Sequence, residues 1–247
     1  MNNLFDLSGK TILITGASSG IGRQIAISAA EHGAAIVITG RNEARLTETQ
    51  QMANGNGTIL IADLTNDSNI TDLVKQLPEL DGVVFCAGVA EYIPLRFINA
   101  EKIRNIFSVN FDSQVILTQQ LIKSKKIKKS GSLVYISSIS SKIGVPATAL
   151  YAASKAAINS FVKIVASEVA GMKIRVNSIC PGLIKTQMLE NAKEVMTDEM
   201  LHDNEKEYLL GIGTPIDVAG PTLFLLSDAS KWITGTEMIV DGGLTVK

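Results

Sequence analysis

The chain has 247 residues, 46% of them hydrophobic and 19% charged, a composition that suits a protein with a sizeable core and excludes a disordered chain. Its net charge of −1, from 23 Lys plus Arg against 24 Asp plus Glu, gives no electrostatic pull toward nucleic acid or an anionic membrane surface. Two cysteines (Cys86, Cys180) and two histidines (His32, His202) exclude a disulfide framework and a four-thiolate or His-rich metal site, so no metal is expected.

The elements alternate along the chain. Residues 11–15 read as a strand ending at Gly16, 21–32 as a helix ending at Gly33, 35–39 as a second strand and 42–52 as a polar helix capped by Asn42. A third strand over 58–62 precedes Asp63, a short helix over 67–77 ends at Pro78, and a fourth strand covers 82–86. The pattern predicts one long helix over 100–127, a fifth strand over 133–137, a second long helix over 148–170 and a sixth strand over 174–180. A helix over 216–226 and a last strand over 238–240 follow. Unbroken apolar strands alternating with helices predict βαβ units and a parallel sheet covered on both faces. The expectation is one domain over 1–247, with the polar, Met-rich stretch 183–213 as a loop-and-helix lid or a plain surface excursion; it carries Glu190, Glu194, Asp198, Glu199 and Asp203. Residues 1–10 lack a signal-peptide pattern and no apolar run reaches the roughly 18 residues of a spanning helix, so a cytoplasmic protein is expected.

The chemistry begins at Gly16-Ala17-Ser18-Ser19-Gly20-Ile21-Gly22, directly after the first strand. A strand running through a glycine turn into a helix is a phosphate site for a dinucleotide: glycines admit the pyrophosphate, and the helix N-terminus offers free N–H groups and partial positive charge. At the end of the second strand stands Arg41, where an NAD site would carry a carboxylate. An arginine pairs with a 2′-phosphate, which favours NADP(H) while leaving NAD(H) admissible; a solvent-facing arginine is the alternative. Asp63 is a candidate for the adenine amine or for capping a turn. Tyr151 and Lys155 share a helix face, and Ser138 lies 13 residues before Tyr151. Asn110 sits inside the predicted long helix, where asparagine has low propensity.

In order and spacing these pieces resemble the short-chain dehydrogenase/reductase family over essentially the whole chain. The matching residues are Thr15, Gly16, Gly20, Ile21, Gly22, Asp63, Ala87, Gly88, Asn110, Ser138, Tyr151, Lys155, Asn177, Pro181, Gly182 and Thr186, with a family-like tail over 233–243. Within the family the chain is most similar to the 3-oxoacyl-[acyl-carrier-protein] reductase group. The resemblance implies a Rossmann-type doubly wound sheet of order 3-2-1-4-5-6-7 and NADP(H)-dependent reduction of a ketone, or the reverse. It implies that Tyr151 donates the proton, Lys155 supports it and binds the nicotinamide ribose, and Ser138 bonds the substrate oxygen. It implies, too, that Asn110 holds its helix open for a water that links Lys155 to solvent. It also implies that Ser18, Ser19, Leu64, Ala87, Gly88, Pro181, Gly182, Ile184 and Thr186 frame the cofactor. A Lys155 ammonium near the phenol is expected to lower the Tyr151 pKa.

Two features depart from or extend the pattern. Phe85-Cys86-Ala87-Gly88 stands where the family has Asn-Asn-Ala-Gly, so the amides that brace this strand end are missing. Lys123, Lys125, Lys126, Lys128 and Lys129 cluster at the end of the predicted long helix, either as a dock for an acidic acyl carrier or as a solvated helix terminus. The substrate is a small carbonyl or alcohol, on an acyl carrier or free; a sugar, a steroid or a small secondary alcohol would suit the same mechanism. A non-catalytic dinucleotide sensor and a scaffold protein are the rival classes. Apolar residues along both long helices predict pairing with a second copy, with the tail 233–246 as a second contact, and the resemblance implies a homotetramer.

Overall fold

The computed structural model describes residues 4–192 and 205–246, so the expected lid falls partly, over 193–204, outside the described residues. Seven parallel strands form one sheet: β1 (Thr11–Thr15), β2 (Ala35–Gly40), β3 (Thr58–Ile61), β4 (Leu80–Phe85), β5 (Ile127–Ile136), β6 (Arg175–Pro181) and β7 (Glu237–Val240). Their order is β3-β2-β1-β4-β5-β6-β7, as the family resemblance implies. The helices are α1 (Gly20–Glu31), α2 (Glu43–Met52), α3 (Asp67–Gln76), α4 (Ala100–Phe107), α5 (Ser113–Lys123), α6 (Ala149–Glu168), α7 (Gln187–Ala192) and α8 (Pro215–Leu226).

The two-residue period of a strand divides the core between the two sheet faces. Ile12 and Ile14 pack with Ile25 of α1 and Val218 of α8. Leu13, Val83 and Phe85 point the other way, into a cluster with Leu73 of α3, Leu117 of α5 and Ile158 of α6. Asparagine caps start three of the helices: Asn42, Asn66 and Asn99 each accept a backbone N–H of the following turn through Oδ1. Among the described residues no helix is long and apolar enough to cross a membrane.

The predicted helix over 100–127 is corrected. It is interrupted by a π turn over Ser108–Asp112, resumes as α5 and stops at Lys123, while Ile127 opens β5. The strand starts before a bulge that the polar Lys-Lys-Ser-Gly stretch conceals: Leu80 pairs with Ile127, but Gly82 pairs with Ser132. The lysine cluster is therefore not a helix terminus alone. Lys123 ends α5, Lys125 takes a left-handed conformation (φ 52°), and Lys128 and Lys129 belong to β5. Lys126 donates to the Leu77 carbonyl and Lys128 pairs with Asp81 at 2.8 Å. The cluster sits at the N-terminal ends of β4 and β5, a strand length of roughly 20 Å from the C-terminal edge where the glycine turn lies. That placement gives no support to the carrier-dock reading.

Of the apolar residues expected to pair helices between copies, Leu117, Leu121, Ile158, Val162, Val165 and Val169 are intramolecular core. Ile103 of α4 and Ile164 of α6, outside that expected set, are exposed.

Phe85, the first departure from the Asn-Asn pattern, is fully buried and stacks on Tyr135, with centroids 4.2 Å apart and planes 6° from parallel. Phe161 meets the edge of Tyr135 and Phe111 meets Phe161. This aromatic column joins β4, β5 and α6, and an aromatic-to-alanine truncation in such a core costs about 3–5 kcal/mol. Tyr135→Ala is expected to lose about that much in urea unfolding; a loss under about 1 kcal/mol would show that the column contributes no more than an ordinary surface contact.

Candidate active site

The glycine turn is built by close approach. A Cβ on Gly22 would lie 2.4 Å from the Gly16 carbonyl oxygen, and one on Gly16 would lie 2.8 Å from the Ala87 backbone. Gly16 (φ 66°) and Gly20 (φ 55°) both take left-handed conformations that glycine adopts without strain. Ser19 is the N-cap of α1, and its side chain caps no N–H of the helix. From outside, Arg23 donates to the Ser18 carbonyl at 2.7 Å and to Thr49 at 3.1 Å, while Thr49 donates to the Ala17 carbonyl at 2.9 Å. A glycine-rich turn held rigid at a helix N-terminus fits a dinucleotide pyrophosphate.

The turn opens into a cavity of about 560 Å³ at the C-terminal edge of the sheet. Every residue expected to bind cofactor or substrate lines it, apart from Asn110. At one end lie Arg41 and Arg45; at the other, Ser138, Tyr151 and Lys155. Asp63 carries both readings: its Oδ1 accepts from Thr65 N at 3.0 Å and Thr65 Oγ1 at 2.7 Å, which caps the turn, yet the residue also faces the cavity. These bonds hold its carboxyl below the usual range, with a smaller contribution from Arg41. Thr186 lies over the turn, its methyl 3.3 Å from where a Gly20 Cβ would be.

Ser138 follows β5 and caps a 3₁₀ turn, its Oγ accepting from Ser140 N at 3.1 Å. Tyr151, in the first turn of α6, lines the same cavity. Lys155 is 4% exposed and donates to the Ile136 carbonyl at 2.8 Å. Burial moves both groups toward their neutral forms. It pushes the Tyr151 phenol up to about 12, against a smaller lowering from nearby Ser138, and it pushes Lys155 down to about 8. The expected lowering of the phenol by Lys155 is therefore corrected: the ammonium is directed at Ile136, and its Nζ is 5.8 Å from the Tyr151 ring centroid.

Asn110 is buried behind the cavity, within the π turn. Its Oδ1 accepts from Val89 N at 2.8 Å, and its Nδ2 donates to the Val89 carbonyl at 2.9 Å and to Ser154 Oγ at 3.1 Å. Pro181 and Gly182 continue β6 into the opposite wall, where Gly182 packs against Tyr208 and Leu183 N donates to the Tyr208 hydroxyl at 3.0 Å.

Several cavity residues escaped the sequence reading. Arg45 stands four residues after Arg41, and Tyr92 and Tyr208 bring two further phenols to the wall. Only the Arg41–Arg45 spacing offered a signal. Cys86 faces the cavity too; burial pushes its thiol up to about 12, with Lys155 nearby as the opposing influence.

A family model described as enoyl-(acyl carrier protein) reductase matches residues 16–245. The 3-oxoacyl-[acyl-carrier-protein] reductase of Rickettsia felis is 35% identical over 241 residues, 98% of this chain and 99% of the relative. Versicolorin reductase of Emericella nidulans is 32% identical over 257 residues, 97% of each chain. Among solved structures, a short-chain type dehydrogenase/reductase from Mycobacterium marinum superposes with a TM-score of 0.91 at 30% identity, covering 99% of this chain and 98% of its own. A candidate NAD(P)-dependent gluconate 5-dehydrogenase from Beutenbergia cavernae, with NADP bound at low occupancy, matches with the same score and identity over 99% and 100%.

Proposed function

The chain belongs to the short-chain dehydrogenase/reductase family, and from that membership we propose that it is a cytoplasmic NADP(H)-dependent ketone reductase, one domain over 1–247 with a lid over 183–213. The observation that carries this reading is that Ser138, Tyr151 and buried Lys155 line the same cavity as the glycine turn.

In this reading the dinucleotide, when bound, supplies the hydride, and the protein handles the oxygen and the proton. A ketone oxygen accepts hydrogen bonds from Ser138 and Tyr151, which strengthen as negative charge develops on it. Tyr151 then donates its proton. A phenol pushed up to about 12 holds that proton at neutral pH, which suits reduction. Lys155, pushed down to about 8, is still largely an ammonium at pH 7, and in this reading its part is to bind the nicotinamide ribose hydroxyls. Gly16, Ser18, Ser19, Gly20, Ile21 and Gly22 take the pyrophosphate, Asp63 and Leu64 the adenine, and Ala87, Gly88, Pro181, Gly182, Ile184 and Thr186 the nicotinamide half. Arg41 and Arg45 together suit a 2′-phosphate.

For the substrate we favour a ketone on an apolar chain, such as a 3-oxoacyl thioester. Ile139, Ile143, Val145, Met188 and Leu189 line the cavity with Tyr151. The cations among the described lining residues are Arg41, Arg45 and Lys155, all assigned above, so a sugar acid finds no further partner for its carboxylate. Consumption of NADPH with a panel of 3-oxoacyl thioesters, sugar acids and simple ketones tests this; turnover of none of them would favour a dinucleotide sensor.

Tyr151→Phe keeps the ring and removes only the donated proton. Its kcat is expected to fall by about 100-fold or more, within the range for a lost general acid, with dinucleotide affinity intact. Turnover at the unmutated rate would remove the assignment. Arg41→Ala is expected to raise the KM for NADPH about ten-fold, as a charge-assisted bond at an exposed site warrants, and to leave that for NADH nearly unchanged. Equal efficiency with NADPH and NADH in the unmutated protein would defeat the cofactor preference. We also propose a homotetramer, supported by exposed Ile103 and Ile164 on the long helices and by Trp232 (96% exposed), Ile239 and Val246 near the chain end. Sedimentation at micromolar concentration should give tetramer mass. A monomer refutes the proposal, and a stable dimer keeps the helix-pair contact alone.

A further inference from the structure

The exit of β4, residues 86–89, forms one wall of the cavity, and three side chains from outside it hold its backbone. Thr15 Oγ1 accepts from Cys86 N at 3.0 Å and from Ala87 N at 3.1 Å. Asn110 takes both polar groups of the Val89 backbone. Between these two anchors, the Ala87 carbonyl accepts from Nε2 of Gln114 at 3.1 Å.

Gln114 lies on α5, four residues past Asn110. It is 1% exposed, and its Oε1 meets no donor among the described residues. Stability alone accounts poorly for such a side chain. A buried amide that satisfies its donor and leaves its acceptor unmatched returns much of what the bond contributes, and an apolar side chain of the same length would avoid that cost. What the amide does is local: it fixes the Ala87 carbonyl, and so the orientation of the Ala87–Gly88 peptide. The next residue faces two groups of the site: a Cβ added to Gly88 would lie 3.3 Å from Asn110 Oδ1 and 3.4 Å from Lys155 Nζ, so the orientation of this peptide sets how Gly88 meets them. The strand end itself carries Phe85 and Cys86, which offer no amide to do this work.

We propose that Gln114 is a positioning residue for the dinucleotide site, supplying from α5 the amide that the end of β4 lacks and holding the Ala87–Gly88 wall at a fixed distance from Lys155. The inference rests on the reading of this cavity as a dinucleotide site. Its function is felt in cofactor binding, and the cost of the unmatched Oε1 is felt in folding.

Gln114→Met separates the two. In the full-length protein, the thermal midpoint should stay the same or rise, while the Kd for NADP⁺, measured by calorimetry without substrate, rises about five- to ten-fold. The KM for NADPH should rise in parallel, with kcat changed less. A lowered midpoint with unchanged Kd means a structural glutamine and overturns the proposal. Cys86→Asn added to Gln114→Met should recover part of the lost affinity, and no recovery overturns the claim that the amide replaces one missing from β4. Gln114→Glu guards against failure of the methionine variant to fold. Protonated, its carboxyl can still donate to the Ala87 carbonyl; ionised, it opposes it. Its NADP⁺ affinity relative to the unmutated protein should therefore fall as pH rises, and a pH-independent ratio overturns the proposal. If the unmutated protein binds no dinucleotide, the cavity reading fails; if it binds and the Gln114 variants bind equally well, only this inference fails.

Discussion

Everything at the site depends on how closely the backbone at Gly16 approaches the backbone at Ala87. A Cβ at Gly16 would lie 2.8 Å from both the Cα and the N of Ala87, a separation side chains do not tolerate. β1 and β4 are neighbours at the centre of the sheet, and their chains leave it in opposite lateral directions, β1 toward β2 and β4 toward β5. A crevice opens at such a switch point. Its width is set by this one approach, since the same contact turns the chain into α1 and brings the 86–89 segment up against Asn110 and Lys155. Thr15 ties the two edges together, its hydroxyl accepting from Cys86 and Ala87 across the gap.

Within the crevice, desolvation outweighs attraction. Tyr151 and Lys155 occupy one helix face, and the simplest electrostatic reading is that the ammonium lowers the phenol. Burial raises the phenol and lowers the amine instead, because the charged form of each loses water. Lys155 recovers part of that loss from the Ile136 carbonyl rather than from Tyr151. A phenol raised by burial keeps its proton available on the tyrosine. Spacing four residues apart conveys which side chains are neighbours; it does not convey where a long flexible amine directs its bonds.

That limit recurs through the chain. Residues 11–15 were legible to the residue because an apolar β-branched run is closed by a glycine, and the Asn42 cap was legible because the signal is local. Ser138, Tyr151 and Lys155 were legible through their order and spacing. The long helix was misread because apolar periodicity runs on through the π turn, and the start of β5 was missed because Lys128, Lys129 and Ser130 sit in a bulge that looks like a loop. Tyr208 acquires its place from tertiary packing alone. Phe85 is instructive in the same way: as a departure from Asn-Asn it signalled a weakened strand end, whereas the structure converts it into the stacked partner of Tyr135.

One signal was present and went unread. Asn110 in the π turn and Gln114 and Thr118 on α5 stand at successive intervals of four, and all three are buried. Each reaches a different level of the neighbouring strands: Asn110 to Val89, Gln114 to Ala87, and Thr118 to the Tyr135 hydroxyl at 2.6 Å. Thr118 gives its own proton to the Gln114 carbonyl at 2.6 Å, so the Tyr135 phenol is the donor in that pair. Buried polar groups are costly unless paired, and a stripe of three on one face implies three partners on the element opposite. The stripe runs from the π turn beside the cavity down to the aromatic column. The same helix face therefore holds the cofactor wall at one end and the core of the sheet at the other, and a distortion of α5 at Thr118 would be transmitted to Ala87 through a single helical turn.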